Sequence, residues 1–385
     1  YNSSNNITMW KRIVPYWLLI FTIGFGWFIL APLVNVIATK FNVSLTSVLF
    51  IISAYGYTMA ILGLLAGYIS SKFTVKVVLY SSAILTFIGL LGRELSQEFL
   101  LFLIFSIIAA IAYPLAVAPV GNIAQTFFKR NPQAAVGISI GVLFLGMSIG
   151  SFVGPSIYSL LGFNLTLLIP VILSIISLAV ILVGIKDYPK YYTKSLKGAF
   201  KIGMIKNWYV GLAVASILVM LGSVGSLVLE AQGVLTAVAI QFGGLFSGLS
   251  LLGSALGSII LPSIFKKRIG AILTGLLTFF STLIIIYSFF TLNVLLISLG
   301  YFIFGFFGNA YWSIALALTV AYVNDPAEAG LATSMYSVIS NVGVAIIPVF
   351  LGSLFANPST IPLGGIIVII MELISAIIAF TLKTD

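Results

Sequence analysis

Twelve stretches of about 20 apolar residues fill most of this chain, and nothing else in it constrains the fold as strongly. In hydrocarbon no water is present to satisfy backbone N–H and C=O groups, so stretches of this length are expected to be helices. They lie near 13–35, 46–70, 76–93, 99–122, 137–161, 165–185, 208–230, 237–262, 269–290, 293–321, 330–355 and 361–382. Turn residues and charges such as SSKFTVK, FKRNPQ, FKKRIG and YVNDPAEAG separate them. Apolar residues make up 61% of the 385 and charged residues 7%, against roughly half and a quarter in soluble domains. A soluble protein of this composition would lack a polar surface, so the expected class is an all-α polytopic membrane protein.

The cations fix an orientation. With both termini on the cytoplasmic side, sixteen of the eighteen Lys and Arg residues fall on that side, leaving only Lys40 and Arg93 opposite. The positive-inside rule therefore supports an even number of spans, and the expected location is the plasma membrane with both ends cytoplasmic. The net charge of +10 follows from this topology, and no nucleic-acid partner is inferred. The polar, then basic lead YNSSNNITMWKR runs into an apolar segment too long for a signal peptide, and reads as the start of the first membrane helix.

One long polar segment, KDYPKYYTKSLKGAFKIGMIKNW, divides the spans into two sets of six. The expected domains are residues 1–185 and 208–385, joined by a basic linker at 186–207. Leu196, Phe200 and Met204 recur every four residues among lysines, which suits either a short helix on an anionic inner leaflet or a solvated connection.

The two sets repeat. Gly137, Gly150 and Pro155 fall on Gly330, Gly343 and Pro348 at an offset of 193, and Gly63, Gly67 and Lys76 fall on Gly253, Gly257 and Lys266 at 190. The fifth and eleventh spans are therefore read as equivalents, as are the second and eighth.

Two parallel six-helix halves joined by a basic cytoplasmic loop resemble the major facilitator superfamily over the whole chain. The family's fifth-helix antiporter motif is matched by Gly141, Gly150, Gly154 and Pro155, while Tyr158 and Ser159 replace its trailing glycine pair. Gly26 and Pro32 match the first-helix motif, with Asn35 where a second proline is common. In the loop GYISSKFTVK, Gly67 and Lys76 match, Lys72 is a conservative replacement, and Ser71 and Thr74 replace an aspartate and a glycine. The fourth-helix arginine of proton-coupled drug antiporters is missing. The resemblance implies rocker-switch alternating access, without assigning the chain to that branch.

In such a machine small residues allow close helix contacts, because lipid supplies no hydrophobic drive between helices. Gly146, Gly150 and Gly154 form one stripe, and Pro155 frees a carbonyl for a local bend. The degenerate twin ending at Gly343 and Pro348 leads to the expectation that the fifth helix packs closer and bends more than the eleventh. Static packing is the bland alternative.

The polar inventory bounds the cargo. The chain has no His and no Cys, which excludes the usual zinc sites and thiol chemistry, and no cofactor or metal is expected. No Lys or Arg is placed at membrane depth, which disfavours inorganic anions and dicarboxylates. Glu372 is the one acid near a helix centre, a candidate proton site or a protonated side chain bonded to a neighbouring helix. Helix midpoints offer aromatics and amides instead: Trp27, Tyr57, Tyr113, Asn309, Tyr311, Trp312, Tyr336 and Asn341. The resemblance places all eight on cavity-lining helices, although for any single aromatic core or lipid packing is the commoner fate. This set suits a small neutral, amphipathic or cationic organic solute.

The resemblance also suggests a cytoplasmic gate in which Lys72 and Lys76 pair with Asp325 and Glu328. The expected function is therefore a monomeric secondary or facilitative transporter and not an enzyme. A proton-coupled multidrug exporter is the alternative, and a channel or a non-transporting receptor-like protein the rival of another class.

Overall fold

The turn chemistry between apolar runs sets where helices begin. Ser44 and Thr74 accept hydrogen bonds from the Ser47 and Val77 amides, capping the helices that follow them. Asn42 adopts a left-handed conformation just before Ser44 and closes the preceding helix. A computed structural model describes residues 3–127, 132–188, 200–265, 267–322 and 326–384, and among these every regular element is helical.

Among the described residues eleven helices are long and apolar enough to cross a membrane, and a bent pair, taken as one span, makes a twelfth. Span 1 comprises Ser3–Phe28, a 3-10 turn at Ala31–Leu33 and the short helix Val34–Phe41. Span 2 is the bent pair Leu45–Ile52 and Ala54–Lys72, with a 40° angle at Ser53. Spans 3 and 4 are Val75–Leu95 and Phe99–Val117, the latter followed by Val120–Phe127. Spans 5 and 6 are Pro132–Leu161 and Phe163–Gly184. Spans 7 to 9 are Ile205–Ala231, Thr236–Ile264 and Lys267–Thr291. Spans 10 to 12 are Val294–Thr319, Pro326–Leu351 and Ile361–Ala379. With twelve spans both termini lie at one face, here the termini face; the other is the distal face.

The expected linker helix falls mostly on residues 189–199, outside the described residues. Its described end is a 3-10 turn at Ile202–Met204, with Met204 buried and Phe200 exposed. At the linker's other end the buried Tyr188 hydroxyl donates to Arg12 O at 2.7 Å, tying the end of span 6 to span 1, and burial pushes this phenol above its ordinary range.

Span 5 shows how small residues organise the fold. Gly146, Gly150 and Gly154 face span 1, where a Cβ on Gly146 would strike Phe21 O and one on Gly150 would lie 2.8 Å from Phe25 O. Gly343 of span 11 lies equally close to Leu212 of span 7, so the equivalent pairs 1–5 and 7–11 use the same device. Gly141 and Pro155 face the other half of the molecule. Pro155 has no N–H for Ser151 O, and that carbonyl abuts Gly244 of span 8, leaving no room for a Cβ. Span 5 runs as one uninterrupted helix through Pro155.

Candidate substrate cavity

A cavity of about 90 Å³ lies between the halves, near the middle of the spans. Its walls differ in chemistry. On the side of spans 1 to 6 they are Trp27, Met59, Tyr113, Val117 and one stripe of span 5, Ile140, Leu143, Phe144 and Met147. On the other side the amide and hydroxyl groups gather, Asn309 and Trp312 from span 10 and Ser337, Ser340 and Asn341 from span 11, beside the apolar Ala215, Leu218 and Val219 of span 7 and Val344 of span 11. Among the described residues no ionised side chain borders the cavity.

The amides, the indoles and Ser340 are held in place by hydrogen bonds. Asn309 Nδ2 donates to Ser254 O at 3.0 Å, which commits one of its two amide hydrogens to span 8. Trp312 Nε1 donates to Ser340 Oγ at 3.1 Å, and Ser340 donates in turn to Tyr336 O. Asn341 Nδ2 donates to Ser337 O, and the amide also lies within reach of the Tyr113 hydroxyl from the opposite wall. Trp27 Nε1 donates to Ile52 O at 2.8 Å, while its ring stacks on Tyr55 at 4.6 Å.

Five of the eight expected residues thus meet at one site: Trp27, Tyr113, Asn309, Trp312 and Asn341. The other three lie off it. Tyr57 stacks on the exposed Phe50 at 4.9 Å, on a face turned away from the cavity. Tyr311 turns towards span 12 and donates to Ser375 O. Tyr336 is fully buried behind Trp312, donating to its carbonyl at 2.7 Å. The helix rotations decide these cases, because residues one or two positions apart face different ways. Ser337, Ser340 and the span 5 stripe were missed by the sequence reading. Their signal was the spacing i, i+3, i+4, i+7 on two helices already paired by the repeat.

The stripes are not symmetry mates. Ile140, Leu143, Phe144 and Met147 stand 197 residues before Ser337, Ser340, Asn341 and Val344, whereas the repeat aligns Gly150 with Gly343 at 193. The polar wall is therefore displaced along span 11 by four residues, about one helical turn.

Two ionisable residues sit elsewhere than their sequence positions suggested. Arg93, expected on the outer surface, is 1% exposed within the first six spans, donating Nη1 to Gly26 O at 2.9 Å. A cation does lie at membrane depth, though it does not border the cavity. Glu372 is also 1% exposed, and neither carboxyl oxygen has a hydrogen-bond partner, so the expected bond to a neighbouring helix is absent. It faces Tyr209 and Tyr311, whose hydroxyls donate to the flanking carbonyls of Met371 and Ser375 on its own helix.

The side-chain hydrogen bonds between the halves lie in the middle and distal parts of the spans. Asn35 Nδ2 donates to Glu230 Oε2 at 2.5 Å, Ser151 and Ser247 share a hydrogen bond of 2.9 Å, and Ser148 donates to Gly248 O at 2.7 Å. Leu49 packs on Gly352, and Gly56 on the Val344–Ala345 backbone. Towards the termini face the halves still touch at Gly63, against Val338, and at Gly141, against Ile259, while a Cβ on Gly67 or Gly137 would meet nothing within 4 Å. Of the proposed gate, Asp325 and the side chains of Lys72 and Glu328 lie outside the described residues. Lys76 is placed in the first turn of span 3, half-buried.

Two six-helix halves around a central cavity define a membrane protein of the transporter class. A family model described as Major Facilitator Superfamily matches residues 16–348, and the chain belongs to that family of transporters. Among solved structures the fold is similar to a bacterial homologue of the human lysosomal transporter Spinster, in an inward-facing and unoccupied conformation. Identity is 13%, coverage 99% of this chain and 97% of that one, and the TM-score 0.68. No curated protein matches the chain.

Proposed function

We propose that this transporter moves a small neutral or amphipathic organic solute, bound with its apolar side against spans 1 to 5 and its hydrogen-bonding group against spans 10 and 11. The observation that carries this reading is the cavity's lining, aliphatic and aromatic groups from both halves with the amides and serine hydroxyls gathered on spans 10 and 11, and no charge among the described lining residues. An inorganic anion would leave its hydration uncompensated here. A cation over the Trp27 and Trp312 faces fits the same walls.

The cavity holds only several waters at its present size, so a drug-sized solute requires the halves to part. The hydrogen-bonded distal seam supports a state closed on that side, the termini side being the one that the cation distribution assigns to the cytoplasm. The full chain as a monomer in the cell membrane, with domains at 1–185 and 208–385 and a basic linker against the inner leaflet, completes the reading. Ion pairs of Lys72 and Lys76 with Asp325 and Glu328 would close the cytoplasmic side in the opposite state.

The test is a thermal-shift screen of organic solutes on purified protein, followed by flux of each hit in liposomes. Saturable flux with counterflow supports the carrier, and stabilisation only by multivalent anions would overturn the solute class. Proton coupling is the second reading, favoured by the unpartnered Glu372 carboxyl. Flux that ignores both a pH gradient and Glu372→Gln would remove it.

A further inference from the structure

Residues 34–52 form a distal hairpin bounded by two helix breaks, and Phe41 packs it on Phe99, Phe102 and Phe163 of the same half. Span 1 stops at Phe28 and resumes at Val34, and span 2 stops at Ile52 and resumes at Ala54. Between the breaks, residues 34–52 carry Asn35, which bonds Glu230, and Leu49, which packs on Gly352. This hairpin is therefore a large part of what seals the distal seam.

Helix ends release carbonyls that need partners. At the span 1 break Arg93 Nη1 takes Gly26 O, placing a cation at the negative end of a helix dipole. Ser151 from span 5 reaches Phe28 O at 3.4 Å. At the span 2 break the carbonyl of Ile52 accepts from Trp27 Nε1. Trp27 follows Gly26 directly, so one side chain joins both breaks while its ring borders the cavity. Arg93 Nε and Nη2 have no hydrogen-bond partner in their buried setting. A burial of that kind is costly, and an apolar side chain would fill the same space without it.

We propose that Arg93 is a positioning residue of the transport cycle: through the Gly26 carbonyl it orients Trp27, and Trp27 holds the hairpin 34–52 in its seam-closing pose. The hairpin pivots on its two breaks as a unit, separately from the rocking of the whole half. This rests on the reading of the cavity as the solute site only in so far as a solute pressing on the Trp27 ring would strain the Ile52 bond. The hinge itself is testable without any solute.

The chain has no cysteine, so spin labels can be introduced in pairs on the full chain in lipid nanodiscs. Thr46→Cys on the hairpin and Leu295→Cys at the distal start of span 10 report the pivot. Leu160→Cys with Leu295→Cys reports movement of the whole half. In Arg93→Met, and in Trp27→Phe, which keeps the ring on Tyr55 but removes the N–H, the longer-distance population of the Thr46–Leu295 pair should rise about threefold to tenfold. The Leu160–Leu295 distribution should not change, and Arg93→Lys should restore part of the parent distribution. An unchanged Thr46–Leu295 distance, or both pairs shifting together, overturns the proposal. Should Arg93→Met fail to give monodisperse protein, Trp27→Phe decides alone. Loss of flux with these distances behaving as stated would count against the solute reading and not against the hinge.

Discussion

Asn35 and Glu230, 195 residues apart, share a hydrogen bond of 2.5 Å that ties span 1 to span 7 across the distal seam. Glu230 is partly exposed, so the bond contributes less than the full value of a buried contact to a charged group. Asn35→Ala is expected to raise distal-side labelling of Ala215→Cys, a cavity position, by about threefold to tenfold. A membrane-impermeant maleimide measures this, and an unaltered rate would mean that the bond does not hold the seam.

Gly146 and Gly137 sit on the same helix with opposite surroundings. The first has the Phe21 backbone where a Cβ would go, and the second has open space. Gly146→Val should therefore be strongly destabilising, by about 1–3 kcal/mol or more for overpacking, and Gly137→Ala near neutral. Melting of the detergent-solubilised variants distinguishes the two, and equal effects would refute the packing account.

Ser340 accepts the Trp312 indole N–H on the polar wall. Ser340→Ala leaves that donor unpaired, at a cost of about 1–3 kcal/mol. Replacing both partners, as in Ser340→Ala with Trp312→Phe, should recover most of the loss, which a double-mutant cycle of melting temperatures would reveal.

Glu372 makes no hydrogen bond through either carboxyl oxygen, so Glu372→Gln removes none. Since an unpartnered carboxyl is exchanged for an isosteric unpartnered amide, the change in stability should stay below the about 1–3 kcal/mol of a lost buried hydrogen bond. Glu372→Lys places an uncompensated cation among apolar neighbours and should abolish folding or membrane insertion. A marked loss of stability in the Gln variant would show that the carboxyl is bound by something other than the surrounding protein.

Much of the architecture was legible because lipid imposes local rules. Backbone groups must be satisfied within each helix, so the apolar runs marked the spans, and even the bend in span 2 left the count of twelve intact. Small residues mark where backbones approach, so the Gly146–Gly150–Gly154 stripe pointed to a close partner. The partner itself, span 1, could not be read from the stripe. Arg93 was misplaced for a related reason. Its position near the end of span 3 looked like a surface site, and its true partner, Gly26 O, exists only because span 1 breaks 67 residues earlier.

The sequence by itself determined the number of spans, the twofold repeat and the uncharged character of the residues available for a site. These depend on composition and on periodicity within single segments. The tertiary structure decided which aromatics turn inward, that the polar wall on span 11 stands one turn out of register with its counterpart on span 5, and that a buried arginine caps a broken helix. Those outcomes depend on how each helix is rotated against neighbours far away in the chain, and a rotation of one residue, about 100°, exchanges a cavity wall for a lipid face.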